Sequence, residues 1–307
     1  MKVAIAGATT GVGRCIAESI LARGTHTLIV LSRSAEIPAL AERGAIVVPV
    51  SYDSPQSLVA ALAGVHTVIS AIGVHPRSPD SDPQVALVRA AVSANVTRFI
   101  PSGWSGTDGG KDDVVELYRY KQPVLDALRQ SNLKWSHPEN GIFMNYLATP
   151  TKGVATLTPL KFWIDVENCK ATIPGDGNIK LAYTAIEDVG ESVAKALDVP
   201  GEWPQSLRIV GALVTHNELV KIAEKVRGGC KPFEVVYKSA DEFTKDLVPN
   251  PPSIYVNTTT QFSLALLEGR FSFESNFDGV SHQFVQPAEF LQKWWSGLSN
   301  QAFGAYM

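Results

Sequence analysis

The stretch that most constrains this chain is its opening, Lys2-Val3-Ala4-Ile5-Ala6 followed by Gly7-Ala8-Thr9-Thr10-Gly11-Val12-Gly13-Arg14. The first run is almost wholly apolar, the pattern of a strand covered on both faces of a parallel sheet. After the glycines, Cys15, Ile16, Ile20 and Leu21 recur at helical spacing. A strand, a glycine turn and a helix in immediate succession predict an α/β fold, a Rossmann-type doubly wound parallel sheet with a dinucleotide on its first turn. Gly7 permits the tight turn, Gly11 lets backbone approach a pyrophosphate, and Gly13 lets the helix pack closely on the strand. Thr9, Thr10 and Val12 lie within the same turn. The pyrophosphate is expected on unpaired N–H groups at the helix N-terminus, where the dipole favours negative charge.

Composition narrows the partners. A net charge of −3 over 307 residues gives no electrostatic case for nucleic acid or an anionic membrane surface. No apolar run approaches the length of a membrane span. Cys15, Cys169 and Cys230 are few and odd in number, and are expected as free thiols in a reducing compartment. The six histidines show no metal-ligand spacing, so no metal is expected. With the first strand starting at residue 2, no targeting segment is expected and the cytoplasm is the expected location.

Further along, Thr27–Leu31 reads as a second buried strand closed by Ser32-Arg33-Ser34. An acidic residue at this point would accept from ribose hydroxyls, whereas an arginine suits a 2′-phosphate. Ser32 and Arg33 therefore predict NADPH rather than NADH. Ala45–Val50 reads as strand three; Asp53 after it either accepts from the adenine amino group or merely precedes the helix begun by Ser54 and Pro55. Thr67–Gly73 reads as strand four, and Ala71, Ile72 and Gly73 are small enough at its carboxyl end to let backbone pass close to a cofactor. His75 reads as a surface histidine. Pro83 opens a helix and Thr97–Pro101 forms strand five. The glycine-rich stretch Ser102–Gly110 reads as a mobile loop of the kind used as a lid. One helix is expected to carry Leu117, Lys121, Val124, Leu125 and Leu128, with Lys121 on or beside its apolar stripe, either snorkelling to water or aimed into a cleft.

Lys134–Pro138 reads as strand six and leads into Glu139–Leu147. Beyond it, Thr172–Gly177 reads as a turn between strands and Ile179–Thr184 as another strand. Thr215-His216-Asn217-Glu218 and Ser239-Ala240-Asp241-Glu242 are capping boxes that each start a helix. Phe290, Leu291, Trp294, Trp295 and Leu298 form a helical apolar stripe, expected in the core or at a subunit contact.

These features together resemble the NmrA-like, isoflavone-reductase-like family of atypical short-chain dehydrogenases. The resemblance rests on the Gly7–Gly13 turn, the Arg33 turn, Arg98-Phe99-Ile100-Pro101-Ser102, Lys121, Phe143 with Tyr146, and the Asn217-Glu218-Leu219 helix start. It implies an NADPH-binding Rossmann domain of residues 1–147 and about 179–200, and a smaller substrate-binding domain of about 148–178 and 201–307. It also implies that Lys121 is the catalytic lysine, and extends the cofactor surface to Ser102, Lys121, Asn140 and Phe143. The implied substrate pocket comprises Trp104, His137, Gly141, Phe143, Met144, Tyr146 and Trp163. The activity implied is hydride transfer from NADPH to a small phenolic or polyketide-like secondary metabolite, at a C=O, a conjugated C=C or an aryl ether carbon. Two alternatives stay open: a dinucleotide-sensing regulator without turnover, and a non-redox isomerase or cyclase. A monomer or homodimer is expected. Three positions depart from the family pattern: the middle glycine is Gly11 rather than residue 10, the acidic residue often found after Pro101-Ser102 is Gly103, and the residue four before Lys121 is Leu117.

Overall fold

The computed structural model describes residues 1–34, 36–74, 77–107, 114–228 and 232–297. Six short strands form the central sheet: β1 (Lys2–Ala6), β2 (Thr27–Ser32), β3 (Ile46–Pro49), β4 (Thr67–Ser70), β5 (Arg98–Ile100) and β6 (Lys134–Trp135). Their order is β3-β2-β1-β4-β5-β6 and every pairing is parallel. Strand order reverses between β1 and β4, which opens a crevice beyond their carboxyl ends, where sheets of this kind receive ligands.

The apolar runs follow from this arrangement. Val3 and Ile5 pack into the core on one face while Ala4 and Ala6 pack into that on the other. Helix α1 (Gly11–Arg23) begins directly after the glycine turn and ends at Gly24, whose left-handed φ of 66° lets its N–H return to the Ile20 carbonyl. Against α1 lies the helix Ile186–Ala196; a Cβ on Gly190 would stand 2.8 Å from the Cys15 carbonyl, so only glycine allows the approach. Cys15 and Cys169 are buried, and Cys230 lies outside the described residues, as do His75 and Leu298.

Three expectations are corrected here. The run Lys134–Pro138 divides into β6 and β7 (His137–Glu139), because Ser136 donates back to Phe99 whereas His137 donates to Gln205, drawing the chain toward Ser206–Arg208. The helix expected across Leu117–Leu128 is two helices, Glu116–Arg119 and Gln122–Arg129. Pro123 has no N–H to give and its ring conflicts with a helical residue 119 carbonyl, so the chain must restart there. The strand Lys170–Pro174 runs through half of the supposed turn, leaving Gly175 and Gly177, both left-handed, to make it.

Beyond the central sheet, β8 (Ile142–Phe143) pairs with Lys180–Thr184, which pairs in turn with Ala212–Thr215. Both capping boxes form as read, with Thr215 and Ser239 accepting from the backbone of Glu218 and Glu242. In the helix near the C-terminus, Phe290, Leu291 and Trp295 are core residues, and Trp295 Nε1 donates to the Leu147 carbonyl at 2.9 Å.

One buried histidine predicts a pH dependence of stability. His216 is 1% exposed, with the Tyr183 hydroxyl 3.3 Å from Nε2, and burial pushes its imidazole from 6.5 down to about 3. The unfolded chain therefore takes up this proton near pH 6.5 while the folded chain resists it to about pH 3, so the stability it allows is present above 6.5 and lost as pH falls. The loss approaches about 1.4 kcal/mol per pH unit within that window. Urea midpoints at neutral and mildly acidic pH should converge in His216→Phe relative to the wild type. An unchanged acid sensitivity in that variant would remove His216 from the account.

Candidate active site

The crevice holds a cavity of about 1110 Å³. Gly7, Thr9, Thr10, Gly11 and Val12 line it from the end of β1, Ser32 and Arg33 from β2, and Asp53 from the segment after β3. Ala71, Ile72 and Gly73 line it beyond β4, and Ser102, Trp104 and Phe143 close its far side. These expected residues, drawn from many separate segments, thus meet around one cavity. A Cβ on Gly11, whose φ is 59°, would meet no protein atom within 4 Å and would point into open space. The first turn of α1 contains no acidic residue, so nothing there opposes an anion at its N-terminus. A glycine cradle with an arginine beside it fits a phosphate-bearing dinucleotide.

Other expected residues do not line the cavity. Gly13 is buried behind it, where a Cβ would fall 2.2 Å from the Gly7 carbonyl, so it serves close packing of α1 on β1. Gly141 has a φ of 68° and would meet the Ala182 carbonyl at 2.0 Å, which makes it a packing glycine. Met144 is fully buried in the core, and Trp163 is held there by its Nε1 bond to Ser263 at 2.8 Å. Gly141, Met144 and Trp163 are therefore core elements rather than pocket walls. Tyr146 packs edge-on between Phe143 and Phe162, and burial pushes its phenol up to about 12. Asn140 is fully buried; its Nδ2 donates to the Gly141 carbonyl while Oδ1 finds no partner among the described residues.

The expected lid is also different. Trp104 Nε1 donates to the Ser70 carbonyl at 2.9 Å, Ser105 Oγ pairs with Tyr118 Oη at 2.9 Å, and Thr107 N–H donates to the Arg270 carbonyl at 3.0 Å. Gly106 packs so tightly on Phe271 that a Cβ would stand 2.6 Å from its ring. Glycine here permits close approach, and Ser102–Thr107 is a pinned wall; residues 108–110 lie outside the described residues. Lys121, at 9% exposed, sits behind that wall with Nζ donating to the Gly103 carbonyl at 3.4 Å and lying 4.9 Å from the Tyr118 ring centre. The His137 ring packs on the other side of Gly103 and faces Glu139 at 3.9 Å.

The NmrA-like family pattern matches residues 1–283 of this chain. The chain belongs to the NmrA-like family. It is 31% identical over 232 residues to oxidoreductase BOA1 of Botryotinia fuckeliana (strain B05.10), covering 74% of this chain and 76% of that one. It is 31% identical over 264 residues to pinoresinol reductase 1 of Arabidopsis thaliana, covering 80% of each. The solved structure of AtPrR2 with NADP+ and (+)pinoresinol matches with a TM-score of 0.76 at 25% identity, over 95% of this chain and 98% of that one.

Within this NmrA-like crevice, sequence reasoning missed several residues. Tyr52 and Arg77 both line the cavity. Burial pushes the Tyr52 phenol up to about 12, against the opposing pull of the facing Arg33 guanidinium. The available signal was position alone: both follow strands at the carboxyl edge. Thr156 was also missed. Its carbonyl accepts the Gly11 N–H at 2.8 Å and its hydroxyl donates to the Gly11 carbonyl at 3.1 Å. The amide of Gly11 is thus already paired, and the next amides, Val12 and Gly13, are those a helix leaves without intrahelical acceptors. Cys15 lies beside Thr156; burial, then Glu187, pushes its thiol up to about 12, which disfavours the thiolate. Among the described residues no group of three or more His, Cys, Asp or Glu side chains can hold a metal ion, and no helix is long and apolar enough to cross a membrane.

Proposed function

We propose that this protein reduces a small phenolic secondary metabolite with NADPH, delivering hydride to a C=O, a conjugated C=C or an aryl ether carbon. It is an isoflavone-reductase-like oxidoreductase of the NmrA-like family. The observation that carries the reading is a buried lysine directly behind a dinucleotide-sized cavity: Gly103, which accepts from Lys121, stands between Ser102 and Trp104, both on the cavity wall.

NADPH supplies the hydride when bound. The chain's own residues do the rest. The glycine turn and the α1 N-terminus take the pyrophosphate, with Thr156 bracing Gly11 from outside the cavity. Ser32 and Arg33 receive the 2′-phosphate, and Tyr52 beside Arg33 covers the adenosine end. As hydride reaches carbon, the electron pair of the reduced bond moves toward oxygen or the enol system, and Lys121 stabilises that charge and gives the proton, directly or through water. Trp104 and Phe143, both on the cavity wall, form the apolar side suited to an aromatic acceptor, with Tyr146 packed against Phe143.

The test is loss of reduced-cofactor absorbance with a panel of phenolic ketones, enones and aryl ethers, pinoresinol among them. Tight NADPH binding with no turnover across the panel favours the regulatory alternative. Cofactor choice has its own test. Arg33→Ala should weaken NADPH by about ten- to a hundredfold, the worth of one charged hydrogen bond, and leave NADH nearly unchanged. Equal losses for both cofactors would remove Arg33 from the 2′-phosphate site.

A further inference from the structure

We infer that Tyr118 is a positioning residue whose aromatic face holds the Lys121 ammonium in register with the cavity wall. The inference rests on the reading of Lys121 as the charge-stabilising group and adds the device that aims it. A tight turn between the two helices sets the pair. Lys121 N–H donates to the Tyr118 carbonyl at 3.0 Å, closing a three-residue turn in which side chains three apart eclipse. Side chains three apart are neighbours on an α-helix as well, and the tighter turn stacks the lysine more directly over the ring.

The geometry on each side is fixed by separate contacts. Nζ lies 4.9 Å from the Tyr118 ring centre, within the range over which a ring quadrupole attracts a cation. The ring itself is 1% exposed and hemmed in: its hydroxyl meets Ser105 Oγ at 2.9 Å and it lies tilted against Phe262, with ring centres 6.2 Å apart. The same short segment, Gly103 to Ser105, therefore takes the lysine at its first residue and the tyrosine at its third. That segment is itself anchored by Trp104 on Ser70 and by the His137 ring, which leaves no room for a Cβ at Gly103. Lysine, aromatic face and wall are three corners of one rigid arrangement, and a long flexible side chain loses its freedom before the substrate arrives.

The role separates ring from hydroxyl. Tyr118→Phe keeps the face and should hold kcat within about threefold, with some loss of thermal stability from the missing hydrogen bond. Tyr118→Leu removes the face and should lower kcat about tenfold, with KM and NADPH affinity within about twofold. Added to Lys121→Met, Tyr118→Leu should cost nothing further, because the residue acts through the lysine. If Tyr118→Leu does not fold, phenylalanines of increasing ring fluorination at position 118 keep the shape while draining the quadrupole, and kcat should fall stepwise at constant melting temperature. Losses that add in the double variant, a Tyr118→Phe as impaired as Tyr118→Leu, or a kcat indifferent to fluorination would each overturn the inference. Full turnover in Lys121→Met alone would instead overturn the underlying reading of the lysine.

Discussion

Lys121→Met should lower kcat by about a hundredfold or more while NADPH affinity stays within about twofold, the outcome expected for loss of a group that acts on developing charge rather than on cofactor binding. The figure corresponds to about 2.7 kcal/mol of transition-state stabilisation. Methionine keeps the length and apolar stem of the side chain, so the variant separates lost charge from lost packing in a residue only 9% exposed. Lys121→Arg should rescue poorly. Its planar fork cannot occupy the point between the Gly103 carbonyl and the Tyr118 face, and it does not give up a proton. The measurement is steady-state turnover with an acceptor found in the absorbance screen, alongside cofactor titration by fluorescence. A methionine variant with full turnover would place Lys121 outside the chemistry.

The second large effect is expected at the glycine turn. Gly11→Val should reduce NADPH affinity by at least about a hundredfold, because its side chain enters the space reserved for pyrophosphate and its φ of 59° is one a β-branched residue resists. Backbone strain of about 1–2 kcal/mol alone shifts the melting temperature without touching the cofactor. Gly24 supplies the control: its φ is 66°, a Cβ there meets nothing within 4 Å, and it stands at the other end of α1. Gly24→Val should therefore lose similar stability and bind NADPH normally. If Gly11→Val also binds normally, the phosphate turn is elsewhere. Gly13→Ala should not fold well, since its Cβ collides with backbone rather than entering the cavity.

Much of this arrangement was legible because it is encoded locally. A run apolar at every position, such as Val3 to Ala6, has no polar face to leave in water, so it must become an interior parallel strand. A capping pair three residues apart, Thr215 with Glu218 or Ser239 with Glu242, satisfies its own backbone wherever the helix ends up. Arg33 reaches the cavity because it follows a strand whose carboxyl end can only be at that edge. Each of these needs only neighbours in the chain.

What the sequence by itself determined was the order of strand, turn and helix, the crevice beyond β1 and β4, and the segments that border it. Only the tertiary structure decided which side chains face that crevice. Met144 and Trp163 share the aromatic-rich composition of a pocket, yet both are sealed in the core; Tyr52 and Arg77 show no pattern at all, yet line the cavity. The grip of Thr156 on Gly11 joins positions 145 residues apart, and the wall that seats Lys121 depends on His137 and Ser70 closing around Gly103 and Trp104. Periodicity and caps report the conformation of a segment and the face it buries, since those depend on residues within one or two turns. Contacts between distant segments arise from how the finished faces pack against one another, and no local spacing records them.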